Sequence, residues 1–86
     1  KYKEVMTKLQ MNKVHDLVLT LIQREVNGHP YVTITKEETN YCGGYRLVIS
    51  DVPLLHDNDI LAIIGVCANC CVQFQLYLNE KQIVLI

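Results

Sequence analysis

Three of the four cysteines in this chain lie close together, at positions 67, 70 and 71. On a helix, Cys67, Cys70 and Cys71 occupy positions i, i+3 and i+4 and therefore share one face. With Cys42 as a fourth thiolate, they would supply the ligands of a tetrahedral zinc site. Zinc modules usually pair two C-x-x-C units, and only one is present here. A zinc-stabilised or zinc-regulated domain is therefore the alternative interpretation.

The same cysteines have two simpler interpretations. A redox-active C-x-x-C pair needs a lowered thiol pKa, which a helix N-terminus provides, but Cys67 and Cys70 fall near the predicted C-terminal end of a helix. Cysteine is also among the residues most often buried as a small apolar side chain. We therefore expect the cluster to belong to the core, and we predict no bound cofactor.

No other group of titratable residues has a spacing typical of a catalytic site. A nucleophilic pair of Cys42 with His29 or His56 would need a third, orienting residue, and the sequence indicates none. The acidic residues between positions 51 and 59 fit helix capping better than a cation site. No catalytic residue is predicted, and the chain is not expected to be an enzyme.

One loop carries residues typical of a contact site. Gly43 and Gly44 precede a strand rather than a helix, so a hairpin loop is a better interpretation than a phosphate cradle. Tyr41 and Tyr45 flank these glycines. Because tyrosine is enriched at interfaces, both are candidate binding residues.

The first predicted helix covers residues 12–26, with Asn12 as its N-cap and Asn27-Gly28 as its stop. Its apolar stripe consists of Val14, Leu17, Val18, Leu21 and Ile22. Residues 1–10 are expected to extend this helix backwards, although their alternation also fits a short strand.

Two hairpins and a second helix follow. Residues 31–35 and 45–50 predict one hairpin, with a loop over residues 37–44. Asp57 or Asn58 is expected to cap a helix that runs to about Cys70, and the apolar block over residues 60–68 predicts burial on nearly every side. Residues 72–78 and 82–86 predict a second hairpin.

This order of elements, αββαββ, predicts one small α+β domain over residues 1–86. Its two helices would pack on one face of a mainly antiparallel four-stranded sheet. If residues 1–8 formed a strand, the arrangement would become a ferredoxin-like variant.

Composition restricts the class of partner. The net charge is −1 and the basic residues are scattered, so the clustered basic surface of a nucleic-acid-binding protein is missing. The longest apolar block is shorter than the roughly 20 residues of a membrane span. The adjacent Cys70 and Cys71 do not fit a disulfide framework, so a reduced cytoplasmic compartment is expected. Half of the residues are hydrophobic, an excess that small chains often cover by self-association.

The second hairpin carries the strongest indication of binding. The alternating segment 72–78 would expose Gln73, Gln75 and Tyr77. Residues 82–86, including Val84, are expected to form an edge strand that lacks the lysines and prolines that discourage pairing. The sequence therefore predicts a non-catalytic protein-interaction module that contacts a protein partner or forms a homodimer.

Overall fold

The protein consists of two helices packed on a four-stranded sheet. The computed structural model describes residues 6–22, 25–26, 29–30, 32–38 and 44–86. In chain order the elements are α1 (Lys8–Ile22), β1 (Glu25–Val26), β2 (His29–Pro30), β3 (Ile34–Glu38), β4 (Tyr45–Ile49), the short 3-10 helix η1 (Val52–Leu54), α2 (Asp57–Cys70), β5 (Phe74–Tyr77) and β6 (Gln82–Leu85). The predicted α+β class and the αββαββ order are confirmed, and the small β1–β2 ribbon is an addition to them.

The main sheet has the strand order β3-β4-β6-β5, and every neighbouring pair is antiparallel. The last strand of the chain, β6, is therefore an inner strand, while β3 and β5 form the two edges. The expectation that residues 82–86 form a free edge is wrong, because β6 pairs with β4 on one side and with β5 on the other.

The core lies between one face of this sheet and both helices. In the β4–β6 register, Leu47 lies opposite Leu85, and Ile49 lies opposite Ile83. All four are buried in one cluster with the inner residues of both helices, namely Met11, Val14, Val18 and Ile22 of α1 and Ile63, Val66 and Cys67 of α2. The intervening pair, Val48 and Val84, points to the opposite face of the sheet because side chains alternate along a strand.

The start of α1 differs from the prediction. Thr7 caps the helix: the Gln10 N–H donates to Thr7 Oγ1 over 3.1 Å, and the Thr7 N–H donates to Gln10 Oε1 over 3.4 Å. This reciprocal pair satisfies two backbone donors at the helix end. Asn12, the predicted cap, lies inside α1 and accepts a hydrogen bond of 2.9 Å from Lys36 Nζ.

The segments on either side of α1 also differ from the prediction. Met6 is extended rather than helical, and its carbonyl accepts a hydrogen bond of 3.0 Å from the Tyr45 N–H. Lys8 already belongs to α1, so a strand over residues 1–8 is excluded at that end; residues 1–5 lie outside the described residues. The helix ends at Ile22, before the predicted end at residue 26, because residues 25 and 26 pair with β2. Asn27 and Gly28 lie outside the described part of the chain.

The predicted span of α2 is confirmed, but its cap is different. His56 is the N-cap, and its backbone N–H donates to Asp59 Oδ2 over 3.0 Å. Asp59 is 3% exposed, so the carboxylate that completes the cap also lies in the protein interior. The helix closes at Cys71, whose left-handed backbone (φ 57°) directs its N–H to the Cys67 carbonyl. Among the described residues, no helix is long and apolar enough to cross a membrane.

Candidate interaction surface

One backbone edge of the sheet is formed by β5. Gln73 and Ile86 exchange both of their N–H···O=C bonds, each over 3.0 Å. Because hydrogen-bonded pairs alternate along an antiparallel ladder, the N–H and C=O groups of Phe74 and Leu76 point away from β6. Among the described residues, no strand pairs with that side of β5.

The side chains of β5 divide between the two faces of the sheet. Phe74 and Leu76 lie on the helix side, opposite Leu85 and Ile83 of β6. Gln73, Gln75 and Tyr77 lie on the face remote from the helices, as the alternation of the sequence indicates, and Tyr77 OH donates to Gln75 Oε1 over 2.6 Å. The remote face of β5 is therefore polar and uncharged.

The outer side of α2 is apolar and uncovered. Leu61 is 64% exposed and Ile64 is 41% exposed, and a methyl group added at Gly65 would meet no atom within 4 Å. The expectation that this helix is buried on nearly every side is wrong, because only the face that carries Ile63 and Val66 packs on the core. Leu61, Ile64, Gly65 and Ala68 of the same block are exposed.

Helix α2 and the β5 edge both carry exposed apolar side chains. Helix α1 packs on β3 and β4 and lies beside α2, so we assign α2 to the half of the sheet that contains β6 and β5. Ile60 and Phe74 both pack against the core, and Ile64, one helical turn after Ile60, points the same way. We call this side the uncharged flank; its exposed members are Leu61, Ile64, Gly65, Leu76 and Leu78.

The uncharged flank is formed by a segment without charged side chains. Residues 60–78 contain no lysine, arginine, aspartate, glutamate or histidine. This segment supplies α2 after its first turn, the connection to β5, and β5 itself. A partner that approaches the uncharged flank therefore has no ionised side chain of this segment to desolvate.

Val84 occupies a different environment from the one predicted. It is 4% exposed and lies in β6 between Val48 and Gln75. On the remote face of the sheet, Val48 and Val84 line a shallow depression of about 240 Å³, together with Tyr77 and the ion pair Arg46–Glu37 at 2.7 Å. Val84 is therefore not available for edge pairing, and a charged side chain there would destabilise the fold.

Of the two loop tyrosines, the structure describes only Tyr45, which does not reach this surface. Tyr45 is half-buried in β4, opposite Glu38, and packs against the core on the helix side. Tyr41 lies outside the described residues, as does Cys42. Of the predicted binding residues, the structure thus brings together Gln73, Gln75 and Tyr77 along one extended segment, with Val84 opposite Gln75 on β6.

The described cysteines do not form a common site. Cys67 is buried, Cys70 is half-buried, and Cys71 is exposed at the turn that ends α2. Burial raises the pKa of the Cys67 thiol from its ordinary 9.0 to about 11, and the neighbouring Cys70 adds to this shift. Within the described part of the chain, no group of three or more His, Cys, Asp or Glu side chains could hold a metal ion. The expectation of three thiols on one face is wrong, because Cys71 has left the helix.

A second concave surface lies where the start of α1 meets the end of α2. It is a groove of about 420 Å³, lined by Leu9, Lys13, Cys70 and Cys71 among others. Gln10 Nε2 donates to the Cys70 carbonyl over 2.7 Å and so joins the two helix ends. This bond satisfies an acceptor at the C-terminus of α2.

Sequence reasoning missed the outer side of α2. The available signal was the absence of charged residues from positions 60–78. A helix with one solvated face normally carries charged residues on that face. Comparison with protein families, with curated proteins and with solved structures finds no match to this chain. The uncharged flank therefore has to be interpreted from its physical chemistry alone.

Proposed function

We propose that this chain is a non-catalytic protein-interaction module that self-associates through the uncharged flank. The observation that supports this proposal is the exposure of Leu61 and Ile64 on α2, together with an edge of β5 that no described strand covers. Proteins commonly bind partners by adding a strand to an exposed sheet edge or by packing against an exposed apolar helix face.

Burial of these side chains on association would be favourable. Complete burial of a leucine or isoleucine side chain stabilises by roughly 1.5–3 kcal/mol. Single exposed leucines are ordinary on protein surfaces, whereas a continuous apolar side is typical of an interface. Leu61, Ile64, Leu76 and Leu78 are all exposed, and a partner surface that covered several of them together would bury more apolar area than one that covered a single leucine.

The chemistry of the described thiols fits a binding role. Cys67 stays protonated at neutral pH because its pKa is about 11, so it is a poor nucleophile. The three described cysteines are free thiols, which supports a reducing compartment such as the cytoplasm as the location that we propose.

Light scattering on the purified chain, from about 1 µM to about 1 mM, tests the proposal, since interfaces of this kind span that range of affinity. We expect the mass to rise from that of a monomer to that of a dimer. Ile64→Lys should shift this transition to at least tenfold higher concentration, because it places a charge in the contact.

The chain offers a matched control for this variant. Leu17 is 40% exposed on α1 and Ile64 is 41% exposed on α2, so Leu17→Lys makes the same change at equal exposure outside the uncharged flank. It should leave the transition unchanged. A wild type that stays monomeric over this whole range of concentration would exclude the proposed function.

A further inference from the structure

We infer that the partner of the uncharged flank is a second copy of this chain, joined to it through antiparallel β5–β5 pairing about a two-fold axis at Gln75. This inference rests on the proposed function and adds the strand that forms the contact, its register and the symmetry. The resulting dimer has one continuous eight-stranded sheet.

The backbone of β5 is self-complementary in this register. The outward N–H and C=O groups belong to Phe74 and Leu76, as the Gln73–Ile86 pairing establishes. With Gln75 on the axis, Phe74 of each copy lies opposite Leu76 of the other. Both are hydrogen-bonded pairs, and each exchanges two N–H···O=C bonds. A shift of the axis to Phe74 or Leu76 would leave one end of each strand unpaired.

The side chains match in the same register. Gln75 meets Gln75 of the second copy as the close, non-hydrogen-bonded pair on the remote face of the sheet. Gln73 then lies opposite Tyr77 of the second copy on that face, and the helix side carries only Phe74 and Leu76. No like charges meet anywhere along the seam, because residues 60–78 are uncharged.

The helices supply the area that the strands lack. A stable interface needs roughly 800 Å² from each partner, more than a four-residue strand provides. Strands are spaced about 4.8 Å apart, so two α2 helices lying over the β5–β6 boundaries of the joined sheet would be about 10 Å apart. Helices in contact lie about 8–10 Å apart. Strand pairing would therefore bring α2 against its own copy through Leu61 and Ile64, which the isolated chain leaves exposed.

Other partners fit this surface less well. A charged peptide would find no opposite charge on residues 60–78, so it would gain no ion pair along the seam. A second copy brings the same uncharged strand and the same apolar helix face, and the symmetry lets one surface satisfy both sides.

Amide hydrogen exchange resolved by residue tests the strand pairing in the unmodified protein. At concentrations at which most of the protein is dimeric, exchange at the Phe74 and Leu76 amides should slow by about tenfold or more relative to dilute protein. The Gln75 amide faces β6 in both states and is the internal control. Dimers in which the Phe74 and Leu76 amides exchange at the dilute rate would overturn the inference but leave the proposed function standing. A mass that stays monomeric would overturn both.

Charge substitution at the axis tests the register independently. Gln75→Lys and Gln75→Glu should each weaken self-association by about threefold to tenfold, because like charges then face each other across the seam. An equal mixture of the two variants should restore it, since the axis places the introduced lysine of one chain opposite the introduced glutamate of the other. Thr35→Lys, which alters the remote face of β3 instead, should have no effect. Failure of the mixture to recover would exclude Gln75 as the axis position.

Discussion

The two halves of this chain have the same order of main elements, a helix followed by a hairpin, but their outer surfaces differ in charge. The first half places Lys36, Glu37 and Glu38 on its edge strand, β3. The second half places no charge on its edge strand, β5. Charged residues on an edge discourage pairing with another chain, so the β3 edge has a protection that the β5 edge lacks.

The backbone of β3 shows how this protection works. The Ser50 N–H donates to the Thr33 carbonyl over 2.9 Å, so the alternation of the ladder turns the N–H and C=O groups of Lys36 outwards. If β3 paired with its own copy about its central residue, Lys36 would face Lys36. The equivalent pairing of β5 places one uncharged glutamine opposite another.

The helices repeat this difference. The exposed side of α1 includes Lys8, Lys13 and Asp16, whereas α2 carries no charge after Asp59. A chain with one open and one protected edge can form a closed two-fold dimer but cannot extend into a filament. The contrast between the halves therefore predicts where assembly starts and also where it stops.

The inner faces of the helices differ in their titratable groups, and this gives the largest expected effect. The buried residues of α1 are all apolar, whereas α2 buries Cys67, whose pKa is raised to about 11. An unfolded thiol loses its proton above pH 9.0 and the folded one only near pH 11, so stability falls as pH rises between these values. We expect a loss of roughly 2–3 kcal/mol in the free energy of unfolding across this window.

Urea unfolding of the wild type and of Cys67→Ala at pH 8 and pH 11 measures the loss of stability that Cys67 causes at alkaline pH. Lysines and tyrosines titrate in both proteins, so their contribution cancels in the difference. Cys67→Ala should be less stable at pH 8 but should show a smaller alkaline loss. Cys71→Ala, which changes an exposed thiol, should keep the full loss. If Cys67→Ala and the wild type lost the same free energy of unfolding between pH 8 and pH 11, Cys67 would not be the cause of the loss.

The two helix caps give the next effect. Asp59 is buried and accepts the His56 N–H, whereas Thr7 is exposed and accepts the Gln10 N–H. Asp59→Ala should therefore cost about 2 kcal/mol of stability, because it removes a buried carboxylate that accepts the His56 N–H at the start of α2. Thr7→Ala should cost about 1 kcal/mol.

Thermal and urea unfolding of both variants would check this order. Asp59→Asn keeps an acceptor at the same position and should recover part of the loss. A Thr7→Ala variant that is destabilised as much as Asp59→Ala would show that burial does not distinguish the two caps.

Local sequence signals were enough to predict the classes of the main elements. The alternation over residues 72–78 and the turn at residues 79–81 placed the β5–β6 hairpin, and the span predicted for α2 is confirmed. These signals act between residues a few positions apart. The strand order cannot be predicted from such local signals. The position of β6 inside the sheet depends on its pairing with β4, more than thirty residues earlier, and no local pattern encodes that pairing.

The candidate surface was predictable only in part for the same reason. Gln73, Gln75 and Tyr77 follow from alternation, but the choice between β5 and β6 as the edge does not. The outer side of α2 was misjudged because an apolar block was equated with a buried helix. A single chain can bury only one face of a helix that lies on a sheet, so an apolar block of this length does not by itself predict burial on every side.

The smallest expected effect comes from removing the protection of β3. Lys36→Thr with Glu37→Thr leaves the net charge unchanged and gives this edge an uncharged centre. Each substitution removes one exposed contact, to Asn12 or to Arg46, at a cost of up to about 1 kcal/mol. Like charges that face each other across a strand pair cost only about 0.2–1 kcal/mol per pair. The variant should therefore form tetramers or larger species only at the highest concentrations.

Analytical ultracentrifugation at high concentration would detect these larger species. Lys13→Thr with Glu80→Thr changes two exposed sites away from β3, so this control variant should remain dimeric. If both double variants stop at the dimer, the charges on β3 are not what limits assembly. The short length of the strand, or its position beside α1, would then have to explain why this edge stays closed.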